Sequence, residues 1–147
     1  MQSRQQGFTL VELVVVIVIL GILAATAIPR YAGYTKEARI AALNGVAGAA
    51  RSAALIVQGR YIALGDGVTT VKMLDGTDVV VSPGSTGGLP VADATGIEKA
   101  VSVSGFTGAV GASGYQWDFP TPISNCNVVY ARPDGISYTV TVNSGGC

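Results

Sequence analysis

The stretch Gly7-Phe8-Thr9-Leu10-Val11-Glu12 runs on into Leu13-Val14-Val15-Val16-Ile17-Val18-Ile19-Leu20-Gly21-Ile22-Leu23-Ala24, and its reading decides the fold of this chain. From Phe8 to Ile28 it carries no Lys or Arg, and its apolar course is broken only by Glu12 and weakly by Thr9, Gly21 and Thr26. At about 1.5 Å per residue, a helix of about twenty residues spans about 30 Å, the thickness of a bilayer's hydrocarbon core. A carboxylate at membrane depth costs about 2.5–3.5 kcal/mol on insertion scales, and such residues ordinarily have a partner.

Three readings of the segment compete. In a secretory signal, Arg4 is the basic region, Leu13 to Leu23 the apolar core and Ala25-Thr26-Ala27 the cleavage site. In a single-span anchor, Glu12 snorkels to the interface. Both leave Glu12 an accident, since no cation lies four residues before or after it in the uncleaved chain. A cut after Gly7 changes that, because Phe8 then carries a new α-ammonium one helical turn before Glu12 on the same face. Among parallel helices, the same amine reaches the Glu12 of a neighbouring copy.

This motif resembles the class III leader and N-terminal helix of type IV prepilins and of type II secretion pseudopilins. The resemblance implies that a membrane prepilin peptidase cuts between Gly7 and Phe8 and N-methylates Phe8. It implies that Glu12 pairs with the N-terminal amine of a neighbouring subunit during assembly. Ala25-Thr26-Ala27 then belongs to a continuing helix. Arg4 stands alone on the leader side while Arg30, Lys36 and Arg39 follow the span, so charge counting does not place the N-terminus in the cytoplasm. The resemblance does.

The remaining composition narrows the function classes. The chain has 147 residues, enough for one modest core. Nine basic residues balance nine acidic ones without clustering, which disfavours a nucleic-acid footprint. There is no histidine, so the commonest general base and metal ligand is missing. No HExxH, CxxC or Walker loop occurs, and Gly84-Ser85-Thr86-Gly87-Gly88 lacks a nearby lysine and reads as a solvated loop. An enzyme is not expected, nor is a cofactor or a metal. Cys126 and Cys147 suggest a disulfide in an exported chain and free thiols in a cytosolic one; the N-terminal segment argues for export.

After the apolar run, Pro29 is expected to bend the helix rather than end it. Ile40, Leu43, Ala47, Ala50, Ala54 and Val57 form a stripe at spacings of three and four, and Gly59 is the expected stop. Val68 to Leu74, Asp75-Gly76 and Thr77 to Val81 read as a hairpin. Ile97 to Val101 is too short to assign. Val128 to Ala131, Pro133-Asp134-Gly135 and Ile136 to Val142 read as a second hairpin between the two cysteines. Tyr115, Trp117 and Phe119 alternate, as a core cluster or as an exposed aromatic surface for a sugar, a neighbouring subunit or another cell.

The fold expected is α+β, a long kinked N-terminal helix packed against a small antiparallel sheet of about four strands. Its parts are a leader (1–7), a transmembrane and filament-core helix (8–29), an amphipathic second half (30–59) and a β-rich head (60–147). Type IVa pilins have a similar C-terminal disulfide-bounded region, whereas major pseudopilins carry an acidic calcium site near the C-terminus. Only Asp118 and Asp134 lie in the last thirty residues here. The valine-rich strand, Asp-Gly turn, Gly-x-Pro loop and Gly96-Ile97 are in an order similar to that of the mannose-sensitive haemagglutinin-type pilins.

The resemblance thus implies a filament subunit, made as an inner-membrane precursor and polymerised outside the cell. Its partners are other copies of itself, prepilin peptidase and the assembly machinery, with any surface or carbohydrate ligand unspecified. The alternatives are a secretion pseudopilin and a periplasmic binding domain released by signal peptidase.

Overall fold

The structure, a computed structural model, describes residues 8–31, 33–65, 67–84, 87–132 and 136–147, with the backbone alone for residues 28–31. Residues 1–7, Ser85-Thr86 and Pro133-Asp134-Gly135, where a turn was expected, lie outside the described residues. Internal packing divides the chain into a unit ending at Ala38 and a head, Arg39–Cys147.

Helix α1, Leu10–Tyr31, carries the apolar run. Helical backbone continues through Pro29, and the interruption falls beyond Tyr31, at the Gly33 turn that precedes α2. Proline removes one backbone donor, but glycine gives up the most backbone freedom on entering a helix, and the chain breaks there instead. Helix α2, Tyr34–Leu64, runs past the expected stop at Gly59. Tyr61 explains the extra turn: its side chain is 1% exposed and packs with Val57, Val71, Val79 and Val81. The helix ends at Gly65, whose φ of 92° suits glycine and whose amide donates to the Tyr61 carbonyl.

Among the described residues six strands follow, two more than expected. β1 (Thr70–Lys72) and β2 (Asp78–Val80) pair antiparallel as a separate ribbon. The connection runs from Met73 to Thr77, with Gly76 N donating to the Met73 carbonyl, so Asp75 and Gly76 lie inside a longer connection rather than forming it alone. The main sheet has the order β3-β4-β5-β6, all antiparallel: Thr107–Gly111, Gly114–Asp118, Asn127–Ala131 and Thr139–Asn143. The second expected hairpin is therefore β5–β6, and β3–β4 is an additional pair.

Alternation sorts each central strand into a buried and an outward face. Tyr115 and Trp117 of β4 and Val128 and Tyr130 of β5 point inward. Against them lie Leu43, Val46, Ala47, Ala50 and Ala54 of α2. The helix supplies mostly methyl groups and the sheet supplies rings, so a close helix approach and a filled interior are satisfied together. The expected stripe is confirmed from Leu43 to Val57, with Ile40 half-buried.

Between ribbon and sheet, a short helix α3 (Ile97–Ala100) inserts Ile97 fully into the core. The loop before it is tied by Asp93, whose Oδ1 accepts from Thr95 N, Thr95 Oγ1 and Gly96 N at 2.7, 2.7 and 3.0 Å. On the other side of β2, Gly88 lies on the Tyr61 ring, where an added Cβ would come within 2.0 Å of a ring carbon. Tyr61 hydroxyl meanwhile accepts from Gly84 N at 2.8 Å.

Burial pulls the Asp93 carboxyl upward, but its hydrogen bonds from Thr95 and Gly96 outweigh this and hold it below the usual carboxylate range. A carboxyl lowered in the folded state stabilises above its unfolded pKa, about 3.9, and stops doing so as pH falls through the lower folded value. Asp93→Ala is expected to cost about 1 kcal/mol at neutral pH, as lost side-chain caps do. The difference from wild type should shrink as pH drops below about 3.9, in thermal unfolding followed at several pH values.

Candidate processing and assembly site

The residues that sequence reading singles out fall in two places. At the front of α1, Phe8 is 90% exposed and Thr9 precedes the first helical residue. Thr9 N and Oγ1 both donate to Glu12 Oε2, at 2.8 and 2.7 Å, and Glu12 N donates back to Thr9 Oγ1 at 3.3 Å. This reciprocal arrangement is a capping box, in which a threonine and a glutamate three residues on satisfy donors that the helix start leaves over.

The carboxylate therefore has a partner within its own first turn, which the search for a neighbouring cation missed. The signal was present as Thr-x-x-Glu ahead of an apolar run. Both bonds fall on Oε2, and among the described residues none is made to Oε1. Glu12 can thus cap its own helix and still accept from a second donor. Gly7 lies outside the described residues, and the structure adds no bond geometry at the expected cut.

Behind this cap, Leu10–Ala27 is long and apolar enough to cross a membrane, and none of it is buried within the protein. From Leu10 to Leu23 its large side chains are 43–77% exposed. An all-round apolar helix of this kind requires a covering of lipid or protein.

In the head, Cys126 and Cys147 form a disulfide with Cα atoms 5.0 Å apart, and Cys126 is fully buried. Gly146 N donates to the Asn125 carbonyl at 3.0 Å, and Arg39 Nη1 donates to the Cys147 carbonyl at 3.3 Å. The last residues are thus held by a covalent link, by the turn before β5 and by the first residue of the head. Tyr115 and Trp117 are each 2% exposed and meet edge to face, while Phe119 packs on Phe106. Tyr115 and Trp117 are core and Phe119 is half-buried against it, so the reading of the trio as an exposed aromatic surface is set aside. Burial, followed by the neighbouring Glu98 carboxylate, pushes the Tyr115 hydroxyl well above its ordinary value.

Among the described residues no three His, Cys, Asp or Glu side chains converge to hold a metal. Residues 2–28 match the family model of the prokaryotic N-terminal methylation motif. By this segment, the chain is similar to type IV pilins.

Curated relatives agree. Over 50 residues the chain is 52% identical to the type IV narrow pilus major component PilA5 of Thermus thermophilus, covering 34% of this chain and 43% of that one. Over 53 residues it is 45% identical to the type IV major fimbrial protein FimA of Dichelobacter nodosus, covering 36% and 34%. Over 40 residues it is 55% identical to the type IV major pilin protein PilE1 of Neisseria gonorrhoeae, covering 27% and 24%. Each match spans less than half of the relative's length. No solved structure matches the chain.

The Cys126–Cys147 link closes the segment that contains β5 and β6 across 21 positions. The chain-entropy model gives about 3 kcal/mol for a loop of this size. Replacing both cysteines by serine is expected to lower the head's unfolding free energy by about that amount. Denaturant unfolding of the two forms without reductant measures it, and adding reductant should bring wild type down to the variant.

Proposed function

We propose that the chain is the precursor of a pilus filament subunit. Cleavage falls between Gly7 and Phe8, Phe8 is N-methylated, and α1 first anchors the chain in the inner membrane. The same helix is then withdrawn from lipid and packed among the helices of other copies in an extracellular filament.

The observation that carries this reading is α1 itself, apolar all round with no residue of Leu10–Ala27 buried in its own chain. Lipid and neighbouring helices are equivalent coverings for such a surface, so moving from one to the other changes apolar burial little. What distinguishes them is the polar group at the front. The free Oε1 of Glu12 suits the amine of a neighbouring Phe8, while Oε2 keeps the helix capped. A charge-assisted bond of this kind sets the register of one helix on the next, which apolar contact alone does not.

Helix α2 supports the same reading within the head. Opposite its core stripe it exposes Leu55, Ile56 and Ile62 at 56–70%, and no atom lies within 4 Å of a Cβ placed at Gly45, Gly48 or Gly59. A helix apolar on two faces is one that packs on both, and small residues let a second helix come close. The disulfide-bounded C-terminal region supports a pilus over a secretion pseudopilus.

Glu12→Ala made as the sole pilin is expected to insert and to be processed, yet to reach the sheared surface fraction at a small share of the wild-type amount. Normal piliation by that variant would remove Glu12 from assembly. Intact mass of sheared wild-type protein checks the processing: a chain beginning at Phe8, one methyl group heavier and two hydrogens lighter until reduced. A chain beginning at Ile28 would instead establish release by signal peptidase.

A further inference from the structure

The main sheet has two outer strands, and they are finished differently. On β6 the Val140 carbonyl accepts from Arg51 Nη2 at 2.9 Å, which sets a cation against that strand. β3 reads Thr-Gly-Ala-Val-Gly and carries neither charge nor proline, the residues that ordinarily keep a sheet edge from pairing. Counting back from the two-residue Ala112-Ser113 turn, alternation gives the Ala109 and Gly111 amides to β4 and turns those of Gly108 and Val110 outward. Among the described residues nothing bonds to that outward side.

Beneath this edge lies a carboxylate that the head leaves without a counter-charge. A Cβ placed at Gly108 would come within 2.3 Å of Glu98 Oε2 and 2.0 Å of the Tyr115 hydroxyl oxygen, so glycine is what lets the strand lie over them. Glu98 is half-buried, and its Oε2 is shielded from solvent without a hydrogen-bond partner. Among the described residues no Lys or Arg forms an ion pair with it. A carboxylate withdrawn from water is costly until a donor or a cation meets it. Two residues along the same edge, Val110 is largely exposed.

We propose that the free edge of β3 is a docking site for an extended segment of a second, different protein, laid antiparallel to β3 with a lysine or arginine opposite Gly108. An added strand takes up the outward amides and carbonyls of Gly108 and Val110, as in β-strand addition. Residues directly opposite across such a pair share a face, with Cβ atoms about 4.5–5.5 Å apart, so the side chain opposite Gly108 descends beside Glu98. A basic side chain there supplies the missing charge partner, and an apolar one opposite Val110 covers its methyl groups. A second copy does not fit through its own β3, which offers no cation. Docking here needs only the head and does not depend on filament formation.

The full chain, isotope-labelled and held in dodecylphosphocholine micelles, is followed by amide hydrogen exchange with and without the peptide acetyl-Thr-Val-Thr-Lys-Thr-amide. The Gly108 and Val110 amides are expected to exchange about tenfold more slowly at roughly 90% occupancy, since exchange then proceeds from the free heads alone. Ala109 and Gly111, already bonded to β4, should stay unchanged. The same peptide with Glu in place of Lys should bind about tenfold more weakly, and Glu98→Gln should bring the two peptides level. Val110→Pro removes an outward donor that β4 does not use, and should abolish protection at Gly108 while Trp117 fluorescence stays that of the folded head. No slowing by the Lys peptide, or equal slowing by the Glu peptide on wild type, would overturn the proposal. So would protection of Gly108 and Val110 that rises with the concentration of the chain alone, which would assign the edge to a second copy.

Discussion

Everything in the head depends on one helix face being small. Ala47, Ala50 and Ala54 let α2 lie close to the sheet, and Tyr115, Trp117 and Tyr130 fill the space between. One turn further on, Val57 and Tyr61 do the same for the β1–β2 ribbon. The two hydrophobic clusters are therefore built on a single rod, and the ribbon and the sheet need not pair with each other. Enlarging an alanine here would push rings out of rotamer minima across the whole sheet, a cost that cores of native density do not absorb easily.

Two kinds of tie hold what the rod does not reach. Backbone bonds from Val80 to Thr95 and from Val91 to Val80, with the Tyr130 hydroxyl donating to the Pro90 carbonyl, fasten the loop before α3 to ribbon and sheet alike. At the other end, Arg51 Nη2 donates to the Val140 carbonyl on the outer strand β6, and the disulfide secures the residues beyond it. Among the described residues the fully buried side chains are apolar, aromatic or disulfide-bonded.

Much of this was legible in advance because it repeats. The apolar run of α1 and the three-and-four spacing of α2 are long signals, and Val128 and Tyr130 alternate as a half-buried strand must. What escaped reading was short or lay in pairing rather than in composition. β3 is Thr-Gly-Ala-Val-Gly, with one large apolar side chain, Val110, that is itself 66% exposed; only its register with β4 makes it a strand. α3 is a single turn fixed by Asp93 and by burial of Ile97. The Gly59 and Gly65 choice turned on where Tyr61 goes, a tertiary matter. At the N-terminus, Thr9 read as an interruption of the apolar run when it was the start of the helix.

The absence of any intramolecular burial along Leu10–Ala27 separates two inheritances within one chain. A substitution in that segment is invisible to the head's own folding equilibrium and is judged only by lipid or by whatever helices surround it. A substitution in the head is judged first by its own core. The two parts can therefore drift at different rates, the first constrained by every neighbour at once and the second free to change its surface while its interior persists.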